Sequence, residues 1–143
     1  MKINKFSNYF LLFCLTIIIS SCAEYKVTYV DSKVSKSDHQ HLDGYLNKNQ
    51  SSLKFSSYFI EEPIIVRQFN RIIFEGNITT DNLYSRAKIL TIEEGAKLEI
   101  SFPKTEVDIV IGLNDLAKYK FIEISKKDNK LFARLSNIPT KSL

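Results

Sequence analysis

The chain has 143 residues, 44% of them hydrophobic, and carries 20 Lys and Arg against 16 Asp and Glu, a net charge of +4. This length supports one domain with its own core rather than two. The near-balanced charge argues against nucleic acid recognition, which needs Lys and Arg gathered on one face, and the two histidines leave few ways to build His-dependent catalysis.

Lys2 and Lys5 make a short positive start, and Tyr9 to Ile19 form an apolar run. A run of this size fits the about 7–15 residues of a secretory signal core and is shorter than the roughly 20 residues that a bilayer span requires. The residues that follow, Ile19-Ser20-Ser21-Cys22, resemble the lipobox of bacterial lipoproteins. The resemblance implies cleavage before Cys22, with a thioether-linked diacylglycerol and an N-acyl chain built on that residue. One acyl chain holds a protein to a membrane only marginally, at roughly 0.8 kcal/mol per buried methylene, whereas two or more anchor it stably. Ala23, at the position after the lipidated Cys, favours the outer membrane over the inner one within that resemblance.

Removal of residues 1–21 would take Lys2, Lys5 and Cys14 with it, leaving 18 basic against 16 acidic residues, a net of +2. No thiol would then remain for a disulfide or a metal, so stability would rest on apolar packing.

Tyr25, Val27 and Tyr29 alternate with Lys26, Thr28 and Val30, which allows a first strand. Asp31 to Ser52 is rich in Ser, Asp, Lys, Asn and Gln with no helical or strand period, and reads as a linker or long loop. If the whole of Glu24 to Ser51 were a tether, its 28 residues would reach about 30 Å. The division expected is a signal at 1–21, a lipidated N-terminus and polar linker at 22–51, and a β domain at 52–143.

From Leu53 onward the pattern is β. Leu53 and Phe55 alternate with Lys54 and Ser56, Ile64 to Phe69 and Ile72 to Phe74 are β-branched and aromatic runs, and Phe69-Asn70-Arg71 between them reads as a hairpin tip. Gly76-Asn77 and Thr79-Thr80-Asp81-Asn82 interrupt the pattern. Ala87 to Ile92 predicts a further strand, followed by a turn at Glu93-Glu94-Gly95-Ala96. Leu98, Ile100 and Phe102 share one face, as do Val107, Ile109, Ile111 and Leu113. Asn114 to Lys118 allows one turn of helix. Phe121 to Ile124 and Leu131 to Leu135 flank a polar turn at 126–130, and Pro139 ends the last strand.

Seven or eight short strands, each with one apolar face, predict an all-β antiparallel two-sheet sandwich. The stretch from Ile64 to Ser136 resembles the transthyretin-like and immunoglobulin-like sandwiches of small bacterial lipoproteins, including the outer-membrane lipoprotein of type VI secretion machines. That resemblance implies a fold and no functional residue.

No catalytic constellation is present in the sequence. His39-Gln40-His41 with Asp38 and Asp43 offers acceptable zinc or copper ligands, yet a His-x-His pair supplies two ligands at most and sits on a polar segment. Glu61-Glu62 and Glu93-Glu94 point to opposite faces if they lie in strands, and their turn positions predict solvated charges. Most of the aromatics (Phe55, Tyr58, Phe59, Phe69, Phe74, Phe102, Phe121 and Phe132) are expected in the core, with Tyr58 and Phe132 out of phase and so the ones to mark a partner surface. Asn77-Ile78-Thr79 reads as a turn.

The function expected is that of a non-catalytic lipoprotein of the bacterial cell envelope, anchored through Cys22 and serving as a protein-interaction or assembly module, with no cofactor and no nucleic acid partner. The alternative is a small-ligand or metal-binding lipoprotein that uses His39 and His41 or a pocket between the sheets.

Overall fold

The alternating runs become two sheets around one core. The structure, a computed structural model, describes residues 25–30 and 46–139. They form β1 (Tyr25–Val30), β2 (Gln50–Phe55), β3 (Glu62–Gln68), β4 (Arg71–Ile78), β5 (Lys88–Glu93), β6 (Leu98–Phe102), β7 (Val107–Ile111), the helix α1 (Leu113–Lys118), β8 (Phe121–Lys127) and β9 (Lys130–Ser136). One sheet has the order β1-β9-β8-β2-β5 and the other β4-β3-β6-β7.

The four-stranded sheet is antiparallel throughout. The five-stranded sheet is mixed, because β1 runs parallel to β9 and β2 parallel to β8. This corrects the expected all-antiparallel arrangement and its seven or eight strands. Local periodicity shows that a strand exists but says nothing of the direction of a partner far along the chain, as Leu131 is from Tyr25 and Phe121 from Ser52.

Period-2 alternation sets the core. Leu53 and Phe55, Ile64 and Val66, Leu98, Ile100 and Phe102, Val107, Ile109 and Ile111, Ile122 and Ile124, and Leu131, Ala133 and Leu135 belong to one buried cluster drawn from both sheets. Leu113 leaves the expected set. Its strand stops at Ile111, Gly112 precedes α1, and Leu113 stands exposed as the first helical residue while Leu116 fills the core.

β1 takes part in the five-stranded sheet from Tyr25, and β2 begins at Gln50. Tyr25–Val30 therefore does not act as tether, and the ordered fold reaches beyond the boundary at 52 that composition suggests. Gly76-Asn77 likewise continues β4, opposite Ile64 and Pro63, instead of breaking it.

Two hairpins turn on paired left-handed residues. Phe69 and Asn70 have φ of 52° and 56°, and Asp128 and Asn129 have 50° and 59°, the backbone of a two-residue turn whose twist matches the strands. β4 forms an outer edge, and the register slips between Val66 and Arg67 so that Ile73 has no partner on β3. Such a bulge blunts an edge against pairing with another chain.

Strand direction divides the molecule into two ends. The near end holds the start of β1, the loops 56–61 and 79–87, and the turns 103–106 and 128–129. The far end holds the Phe69-Asn70 tip, the turn 94–97, α1 and the end of β9.

Candidate interaction surface

Phe59 determines what the near end displays. It is fully buried and stacks on Phe102 (6.2 Å, 14°) with Phe55 edge-on at 5.9 Å. With Phe59 held inward, its neighbours Tyr58 and Ile60 point away from the core.

The loop is tied on both sides. Phe59 N–H donates to Thr80 Oγ1 (3.0 Å), Thr80 N–H donates back to the Phe59 carbonyl (2.8 Å), and the Thr80 hydroxyl donates to the Ser56 carbonyl (2.9 Å). Glu61 N–H donates to Thr79 Oγ1 (3.0 Å), and Lys104 Nζ donates to the Glu61 carbonyl (2.7 Å). Tyr58 and Glu61 adopt positive φ of 68° and 45°, a conformation costly for side chains of this size. The second loop closes with a bridge between Asp81 and Arg86, while Asp81 Oδ1 accepts the Leu83 N–H (2.7 Å) and the Arg86 guanidinium lies 5.3 Å from the centre of the Tyr84 ring.

The four most exposed large apolar side chains among the described residues are Leu83 (81%), Ile60 (76%), Tyr58 (69%) and Tyr84 (55%), and all lie in these two loops. A cleft of about 400 Å³ between the loops is lined by Tyr58, Phe59, Ile60, Thr80 and Asn82 among others.

Beneath the loops, Glu62 is buried and its Oε2 accepts from Lys126 Nζ at 2.6 Å, joining β3 of one sheet to β8 of the other. Glu62 Oε1 has no hydrogen-bond partner. The expectation that both members of Glu61-Glu62 are solvated is corrected: they do face apart, with Glu61 exposed, but Glu62 points inward in phase with Ile64 and Val66.

At the far end Phe69, expected in the core with most of the aromatics, instead stands half exposed because it occupies the hairpin tip, its ring against Gly95. Ile72 and Ile73 follow on β4, both exposed. Tyr29 O–H donates to Asp115 Oδ2 (3.3 Å), tying β1 to α1. Desolvation, then the negative charge of Asp115 and the hydrogen bond to it, raise the Tyr29 phenol above its ordinary pKa.

Of the residues marked from sequence, Cys22, His39 and His41 lie outside the described residues. Among the described residues no group of three His, Cys, Asp or Glu side chains is placed to hold a metal ion. Tyr58 is exposed as its phase suggests, whereas Phe132 is half-buried on β9. Sequence reasoning passed over Ile60, Leu83 and Tyr84; the available signal was a pair of large apolar residues set among turn-formers, Asp81-Asn82-Leu83-Tyr84-Ser85. No protein-family model, curated protein or solved structure matches the chain.

Proposed function

We propose that this chain is a lipid-anchored lipoprotein of the bacterial cell envelope whose β module engages a protein partner without catalysing a reaction. The lipobox-like Ile19-Ser20-Ser21-Cys22 supports the anchor, and Ala23 supports the outer membrane as its site. The parallel pairing of β2 with β8 departs from the immunoglobulin-like sandwich, which is built from two antiparallel sheets.

The observation that carries the interaction reading is Phe69. A bulky aromatic held at φ 52° on an exposed tip costs roughly 1–2 kcal/mol against residues suited to that conformation, and such strain collects where function requires it. With Ile72 and Ile73 beside it, the tip makes an apolar patch of the kind that anchors interfaces.

Two measurements test this. Radiolabelled palmitate is expected to enter the wild-type protein and not Cys22→Ser; label absent from both would remove the anchor. A photo-crosslinking residue at position 69 or 72 is expected to capture one envelope protein in intact cells while the same group at Lys127 captures none, and equal capture from both would sink the interaction reading.

A further inference from the structure

The start of β1 and the exposed loops share one end of the molecule. Tyr25 pairs with Leu131 and Val30 with Ser136, so β1 enters at the near end, beside the 128–129 turn. Only Ala23 and Glu24 separate Tyr25 from Cys22, which limits the Cα–Cα span between them to about 11 Å at 3.8 Å per residue. We propose that the loop end formed by Tyr58, Ile60, Leu83 and Tyr84 docks into the headgroup region of the bilayer that holds the Cys22 lipid, an inference that rests on the anchor proposed above.

The short connection selects the occupant. A lipid on Cys22 keeps the start of β1 within one short step of the membrane surface, and the loops at that end then face the same surface. Their composition suits it. Two Tyr rings present an apolar body and a polar tip, as side chains at the membrane–water interface do, and Ile60 and Leu83 extend further into solvent than any other large apolar residue described. Arg86, Lys127 and Lys130 stand exposed at the same end, within reach of lipid phosphates, while Lys104 is engaged by the Glu61 carbonyl. The acidic groups nearest the tips, Asp81 and Glu61, are exposed and accept from the Leu83 N–H and the Thr79 hydroxyl, and Glu106 and Asp128 stand exposed in the adjoining turns, so the docking rests on the apolar side chains and not on net charge. The bonds from Thr79, Thr80 and Lys104 hold the loops in shape before contact, so little order has to be gained on docking.

The sequence supplies a clean test. It contains no Trp, and the mature chain from residue 22 has Cys22 as its sole thiol. Coupling that chain through Cys22 to a maleimide phospholipid in phosphatidylethanolamine–phosphatidylglycerol vesicles anchors it whether or not the cell does so. Single reporters Ile60→Trp and Leu83→Trp, both at exposed positions, are compared with Phe69→Trp at the far end. Lipids brominated near the headgroup are expected to quench the first two at least about twofold more than the third, since interfacial side chains lie about 5–10 Å into the boundary, and their emission is expected to shift to the blue.

Equal quenching at all three positions overturns the docking. So does a blue shift at 60 and 83 that grows with protein density but is insensitive to bromine, which would place a second copy on the loops. The mass of the mature N-terminus isolated from cell envelopes reports separately on the anchor. A protein without lipid on Cys22 removes that reading whatever the vesicles show, and a lipidated protein with unquenched loops removes only the docking.

Discussion

β3 closes the two ends of the core with different chemistry. Its buried face reads Glu62, Ile64, Val66, Gln68, so a polar side chain ends the apolar run on each side. At the near end Glu62 is ionically paired with Lys126 across the two sheets and leaves one oxygen unpartnered. At the far end Gln68 is neutral and well satisfied: its Nε2 donates to the carbonyls of Glu93 (2.6 Å) and Ala96 (3.3 Å), and its Oε1 accepts the Glu93 N–H (3.2 Å). The near end depends on one charge meeting its partner in the opposite sheet, whereas the far end depends on a short-range amide network that staples β3 to the turn after β5.

The largest expected effect lies at the charged closure. Lys126→Met leaves the Glu62 carboxylate buried without a counter-ion and should lower stability in urea by roughly 3–5 kcal/mol. The double variant Glu62→Leu/Lys126→Met removes both charges and should recover most of that loss, because a well-packed apolar pair is often no worse than the ion pair it replaces. Gln68→Met, at the other end, strands one N–H and two carbonyls and should cost less, about 1–3 kcal/mol. If the order of the two single variants were reversed, the distinction between the ends would collapse.

The parts of the fold governed by local alternation were legible in the sequence, among them the inward faces of β6 and β7, the Phe69-Asn70 tip and the 128–129 turn. What was illegible depended on distant partners. Alternation from Tyr25 to Val30 allows a strand, but what places it in the sheet is its pairing with β9, and Glu62 reads as a solvated acid until Lys126 arrives from β8. Gly76-Asn77 looks like a break, yet β3 supplies enough partners to carry the strand through. Ile60 and Leu83 were missed because apolar residues in turns have no phase to read; their exposure follows from Phe59 and the Thr79–Thr80 bonds. Cys22 is a matter of sequence alone.

The two left-handed turns sharpen the comparison. Asp128-Asn129 uses residues that tolerate positive φ, while the far-end turn places Phe69 there. Phe69→Asn should therefore raise stability by about 1 kcal/mol, less whatever the ring gains against Gly95. Under the proposed function the same change should abolish crosslinking to the partner, the trade of activity for stability expected where strain serves binding. A variant that is both more stable and undiminished in capture would mean that the tip is strained without purpose.

The smallest effect concerns the bond that holds β1 to the far end. Tyr29 is about half exposed (51%), so Tyr29→Phe should change stability at neutral pH by no more than about 0.5 kcal/mol. The pH dependence is more telling. Because desolvation and Asp115 raise the phenol pKa in the folded state, the unfolded chain releases this proton first; the contribution is complete below the ordinary tyrosine value of about 10 and is lost as pH rises through the folded value. Denaturation of the wild type should thus show a decline of stability above pH about 10 that is shallower in Tyr29→Phe, with Asp115→Asn falling between them because it removes the charge and keeps an acceptor. Identical slopes in all three would mean that β1 reaches β9 without help from α1, and that the parallel pairing from Tyr25 to Val30 alone keeps the first strand in the sheet.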